Sequence, residues 1–149
     1  MKRYITKIVI AIFIVLTTAC ESYLMNGDLD GLWQVRSVER FSTDTITTND
    51  GELFMSLQQY TVLLSYNYPD KLTGSLMANY LSLFEHTGDY ITMGYFRDFN
   101  LHNSHNKVPL DRLERFGIFQ DTTTFYIESL NHKSLILTSD SARIVFRKY

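Results

Sequence analysis

Four histidines, at 86, 102, 105 and 132, are the side chains most able to carry chemistry. His102-Asn103-Ser104-His105 has a spacing that can bring two imidazoles to one metal ion on a helix or turn. A zinc site needs three or four such ligands, however, and the stretch from Asp98 to Lys107 is polar, holds no cysteine, and has Asp98 and Asp111 only loosely placed. A solvated loop is therefore expected there, with no metal. Glu85-His86 stands beside Thr87-Gly88, where a polar pair belongs at the end of a strand. The chain has no Gly-x-Ser-x-Gly elbow, no glycine-rich phosphate loop and no His-Glu-x-x-His helix. Its acids are scattered, so no pair of carboxylates can be nominated for acid–base work. The expectation is a protein with no catalytic residues and no cofactor, not an enzyme.

The tyrosines offer a different chemistry. Tyr60, Tyr66, Tyr68, Tyr80, Tyr90, Tyr95 and Tyr126 admit two readings. Most are expected to pack in the core and across strands. The sharper reading makes some of them a pocket wall whose hydroxyls orient an otherwise apolar ligand.

Charge removes another class of function. Residues 1–19 carry Lys2, Arg3 and Lys7 and no acid; setting those three aside from 14 basic residues leaves 11 against 16 acidic, a net of −5. No basic stripe remains, so nucleic-acid binding lacks its electrostatic footprint. The positive start is followed by nine apolar residues, Ile8 to Leu16. About twenty would be needed to span a bilayer, so the run fits a cleaved export signal, residues 1–19.

Cys20 is the only cysteine, which excludes an internal disulfide and every motif built on cysteine pairs. The segment Leu16-Thr17-Thr18-Ala19-Cys20 resembles the lipobox of bacterial lipoproteins, in which a small residue precedes the cysteine that receives a diacylglyceryl group. The usual pattern has Leu three positions before the cysteine; here Thr17 stands there and Leu16 one step earlier. The resemblance implies lipidation of Cys20, with residues 20–28 as a tether. It implies a lipid-anchored place in the bacterial cell envelope, at the outer membrane on its periplasmic or surface face. The alternative is ordinary cleavage after Ala19, leaving a soluble protein with a free thiol.

The elements that would position these residues are mostly strands. Aromatic residues make up 14% of the chain, and they favour pleated, half-buried surfaces. A first strand begins near Leu32, with a bulge near Ser37. Residues 42–51 are expected to be a polar loop, and residues 52–66 one long bent strand or two short ones. Leu76 to His86 and Tyr90 to Phe96, joined by Thr87-Gly88-Asp89, read as a hairpin. Residues 109–116 form the one short helix, with Pro109 at its first position, Leu110, Leu113 and Phe116 on one face, and Gly117 past its end. Thr123 to Leu130, Ser134 to Thr138 and Ala142 to Tyr149 are a three-stranded meander, because their linkers are too short for anything but antiparallel neighbours. Seven to nine strands with tight turns predict a small all-β antiparallel barrel over residues 29–149, with one short helix across an end.

Gly31-x-Trp33 resembles the opening motif of lipocalins, and residues 135–149 resemble the closing hairpin of lipocalin-like lipoproteins of Gram-negative bacteria. The resemblance implies that Trp33 packs under an arginine of the last strand, Arg143 or Arg147, and that Gly31, Trp33 and those arginines close the barrel floor. It also implies a small apolar or amphipathic ligand held inside the barrel, at residues it does not specify. The alternative is a non-catalytic accessory subunit of an envelope complex, meeting a protein partner through residues 42–51 and 97–108.

Overall fold

The alternation of buried and exposed side chains, two residues to the period, decides the architecture. The computed structural model describes residues 25–48, 51–70, 74–99 and 106–149, apart from the side chains of 68–70 and 74–77. Nine strands follow in order: β1 (Gly31–Arg40), β2 (Thr45–Thr48), β3 (Leu53–Gln58), β4 (Thr61–Asp70), β5 (Gly74–Thr87), β6 (Tyr90–Asp98), β7 (Thr122–Leu130), β8 (Ser134–Thr138) and β9 (Ala142–Lys148). All pairings between them are antiparallel. β1 pairs with β3 on one edge and with β9 on the other, so β1 and β3 through β9 close into an eight-stranded barrel. Closure leaves these eight strands without a bare edge.

Inward positions carry the core: Trp33 and Val35 on β1, Leu53, Met55 and Leu57 on β3, and Val62 and Leu64 on β4. Tyr80 and Phe84 follow on β5, Ile91, Met93 and Phe96 on β6, Phe125 on β7, Leu135 and Leu137 on β8, and Ile144 and Phe146 on β9. The phase slips where the ladder shifts register. Between Val35 and Ser37 the pairing with β9 skips Arg36, and Val38 resumes the inward series. This is the bulge expected near Ser37. At the same point the other edge of β1 changes partner, from β3 to β2.

Residues 42–51 are not all loop, as β2 occupies 45–48 and pairs with Ser37–Arg40. All four of its residues are exposed, so it has no buried face to announce it; the β-branched run Thr-Ile-Thr-Thr suits a strand whose only hold is the β1 edge. Residues 52–66 resolve as two strands, turning at Gln59 with φ +56°.

The helix is shorter than the sequence suggested: α1 covers Leu110–Leu113, and a 3-10 turn continues over Glu114–Phe116. Pro109 is the N-cap rather than the first helical residue, and Gly117 ends the segment in the left-handed region at φ +73°. A Cβ on Gly117 would stand 2.6 Å from Ile144 Cδ1, so the missing side chain lets the turn press onto the barrel. Leu113, Phe116 and Ile118 are buried there and cover the end at which β1 finishes.

Candidate functional site

The barrel floor is built around Trp33, which is fully buried and donates its indole N–H to the Leu29 carbonyl at 2.8 Å. The cation over its ring is Lys148, with Nζ 4.2 Å from the ring centroid. Nζ also donates to the carbonyl oxygens of Asp30 at 2.5 Å and Asp28 at 3.1 Å. Burial pulls the Lys148 pKa below the ordinary lysine value, partly offset by the charges of Asp28 and Asp30. Gly31 sits at φ +142°, and a Cβ there would meet Lys148 Cε at 2.6 Å. The Gly-x-Trp pattern thus has a local cause: the glycine leaves room for the ammonium that caps the indole two residues on.

Arg143 and Arg147 do not take the place over Trp33. Both lie on the seam, opposite Glu39 and Gln34 of β1, but they face outward. Arg147 donates to Gln34 Oε1 at 2.8 Å, and Arg143 makes a two-pronged contact with Glu128 at 2.8 and 2.9 Å. The strand period is the reason. Ala142, Ile144 and Phe146 point inward, and Lys148 continues their phase while residues 143 and 147 do not. The Arg143 guanidinium, helped by the Thr138 hydroxyl, holds the Glu128 carboxyl down at about 2.

Among the described residues, side chains pack the barrel interior. Trp33, Met55, Leu64, Ile91, Phe125 and Ile144 expose 0% of their surface, so no water-sized void touches them. The expected ligand chamber inside the barrel is therefore not formed around these residues, because the aromatic load meant to line it packs against itself.

A concavity of about 720 Å³ lies instead on the β5–β6 ribbon. Leu83 at 72%, Tyr95 at 68% and Phe99 at 62% exposure supply its apolar surface, with Leu81 beside them and Glu85, Arg97 and Asp98 also lining it. A bulge makes it: Leu81 pairs with Arg97 but Leu83 pairs with Gly94, so Tyr95 and Phe96 are squeezed into one step. Phe96 turns inward, and Tyr95, at φ +55°, turns out. Ser82 occupies an inward position and satisfies its hydroxyl on the Gly94 and Leu83 carbonyls. Gly94 lets β6 approach β7, since a Cβ there would stand 2.8 Å from Thr122 Cα.

Cys20, His102 and His105 lie outside the described residues. Among the described residues no three His, Cys, Asp or Glu side chains gather as a metal site would require. His86 places Nδ1 3.3 Å from Asn26 Oδ1 and Nε2 3.0 Å from the Gly88 carbonyl, a structural role at the β5–β6 turn, and His132 is exposed. The tyrosines divide. Tyr80 is buried and Tyr66 packs partly against the core, whereas Tyr60, Tyr90, Tyr95 and Tyr126 face solvent. The aromatic residues of the core are mainly phenylalanines, which have no hydroxyl to satisfy. Tyr90 and Tyr126 do pack across strands, with ring centroids 5.5 Å apart, and the Tyr68 side chain is outside the described set.

A family model described as "Lipocalin-like domain" matches residues 14–149. This chain belongs to the lipocalin-like domain family. The lipocalin-like barrel is similar to the crystal structure of a lipocalin-like protein from Bacteroides uniformis ATCC 8492, with a TM-score of 0.63 and 24% identity over 83% of this chain and 100% of that one. It is also similar to an uncharacterized protein from Bacteroides eggerthii DSM 20697, with a TM-score of 0.59 and 19% identity over 81% and 99% of the two chains. No curated protein sequence matches significantly. At these identities the two crystal structures speak for the fold alone.

Proposed function

We propose that this lipocalin-like barrel is a non-catalytic binding protein of the bacterial cell envelope. It is held at the outer membrane by lipid on Cys20, and it receives a small apolar or amphipathic molecule in the β5–β6 concavity rather than inside the barrel. The observation that carries the reading is the contrast between a filled interior and an apolar surface hollow. Its volume of about 720 Å³ falls within the range of small-molecule clefts, about 300–1,000 Å³. Leu81, Leu83, Tyr95 and Phe99 suit a hydrocarbon or aromatic body, and Arg97 together with Glu85 and Asp98 suits a zwitterionic head. The anchor rests on the lipobox-like segment ending at Cys20.

Native mass spectrometry of the protein purified from its host tests both parts. The expected result is a lipid-sized mass beyond covalent acylation, lost in Leu83→Asp, together with loss of membrane fractionation in Cys20→Ser. A protein that carries no added mass, and gains none when titrated with a fluorescent zwitterionic amphiphile, would sink the ligand reading. The exposure of Leu83, Tyr95 and Phe99 equally favours a second reading, an accessory subunit docking a partner chain on this patch. A co-purifying protein lost in the same Leu83→Asp variant would decide for it.

A further inference from the structure

Strand direction sorts the surface tyrosines. β1 starts at Gly31, just after the described chain begins at Met25, and finishes at Arg40, at the end that α1 covers. Because every pairing is antiparallel, the turns at Gln59–Tyr60, Gly88–Asp89 and 131–133 share the Met25 end, as does Tyr149. Five tyrosines are exposed among the described residues, and four of them, Tyr60, Tyr90, Tyr126 and Tyr149, sit at or near this end; Tyr95 does not. They are spread around the barrel wall. Tyr60 is on the β3–β4 turn, Tyr90 and Tyr126 face each other on β6 and β7, and Tyr149 follows β9 with its ring 5.1 Å from Phe54.

The chain's entry to the barrel is pinned among them. Asn26 Nδ2 donates to the Gln59 carbonyl at 2.7 Å and to Asp30 Oδ1 at 2.7 Å, and its Oδ1 faces His86. Only five residue steps separate Cys20 from Met25. Fully extended they reach about 17 Å, at roughly 3.3–3.6 Å per residue. A headgroup layer occupies about 5–7 Å of each side of a bilayer. An anchor on Cys20 therefore holds this end, and not the α1 end, within about 10 Å of the lipid surface. Tyrosine, with an apolar ring and a hydroxyl that stays hydrated, concentrates at such interfaces.

We infer that the barrel stands end-on against the bilayer, with the rim formed by Tyr60, Tyr90, Tyr126 and Tyr149 seated in the lipid headgroup layer. The inference rests on the proposal that Cys20 carries the lipid, and it adds an orientation: the α1 end points away from the membrane, and the β5–β6 concavity lies on the side wall.

Hydroxyl-radical footprinting tests it, using the full lipidated protein in phosphatidylethanolamine–phosphatidylglycerol vesicles and the Cys20→Ser protein in solution as reference. Labelling of the four rim tyrosines is expected to fall at least threefold in vesicles, while Phe41 and Ile46, exposed at the α1 end, are unchanged. If the wild-type protein co-floats with vesicles but its rim tyrosines label as in solution, the orientation is overturned and the anchor stands. If the wild-type protein does not co-float, the anchor fails and takes the orientation with it.

Discussion

Replacing Lys148 with methionine tests the account of the barrel floor. The substitution keeps most of the aliphatic stem but removes the ammonium that lies 4.2 Å from the Trp33 ring centroid and bonds to the Asp30 and Asp28 carbonyls. A desolvated cation over an indole contributes about 1–2 kcal/mol. Leaving a largely buried carbonyl without its donor costs about 1–3 kcal/mol. Relief of the burial that depresses the Lys148 pKa works in the opposite direction. The net expectation is a loss of about 2 kcal/mol. Urea unfolding followed by fluorescence measures it directly, because Trp33 is the only tryptophan and sits at the site. The pH dependence supplies a second handle. A lysine with a folded pKa below its unfolded value of 10.5 binds fewer protons in the folded state, so stability rises as pH climbs toward 10.5. The gap between wild type and Lys148→Met should widen between pH 7 and pH 10. A variant within about 0.5 kcal/mol of wild type at pH 7 would refute the assignment of Lys148 as the cap, and a gap that narrows with pH would refute the downward direction of its pKa.

Gly31→Ala should lose about 1–3 kcal/mol in the same unfolding assay, since it forces φ +142° on an alanine and drives its Cβ into Lys148. Phe125→Ala, deep in the filled interior, should lose about 3–5 kcal/mol and open a chamber that binds a small aromatic probe, detectable by calorimetry. For Glu128, whose carboxyl is held at about 2 by Arg143, the ion pair's contribution is complete above the unfolded value of 4.5 and disappears as pH falls toward 2. Glu128→Gln should flatten the acid limb of thermal stability against pH across that window, and carbon-13 NMR titration of the carboxyl should find it ionised at pH 3.

The meander of β7, β8 and β9 is readable because its strands are rich in apolar and β-branched residues and its linkers are three residues or so. β2 is not, because a strand that buries nothing leaves no pattern; only its position on the β1 edge makes it one. At the floor, Gly31 and Trp33 are legible, whereas the resemblance points to an arginine where the structure has Lys148. The phase of β9 held the answer, since Phe146 inside implies position 148 inside and 147 outside. The surface hollow was hidden by the reverse of the usual pattern. In Leu81-Ser82-Leu83 the polar residue faces in and the leucines face out, an inversion that alternation flags but cannot interpret without the Gly94–Phe96 bulge. The tyrosines misled because residue type alone does not choose a face, and a phenolic hydroxyl finds partners more readily in water than among phenylalanines.

The seam between β1 and β9 joins residues 113 positions apart, as in the Arg147–Gln34 hydrogen bond. A cylinder whose first stave has one edge clasped by its last cannot seal while the chain is still emerging, whatever local hairpins have formed. Folding must therefore wait on the slowest kind of encounter, that between distant segments, which predicts a refolding time nearer to seconds than to microseconds. Until then the indole has no lid and the β1 edge lies open, so losing a handful of residues from β9 would leave an unsealed sheet in place of a slightly smaller barrel.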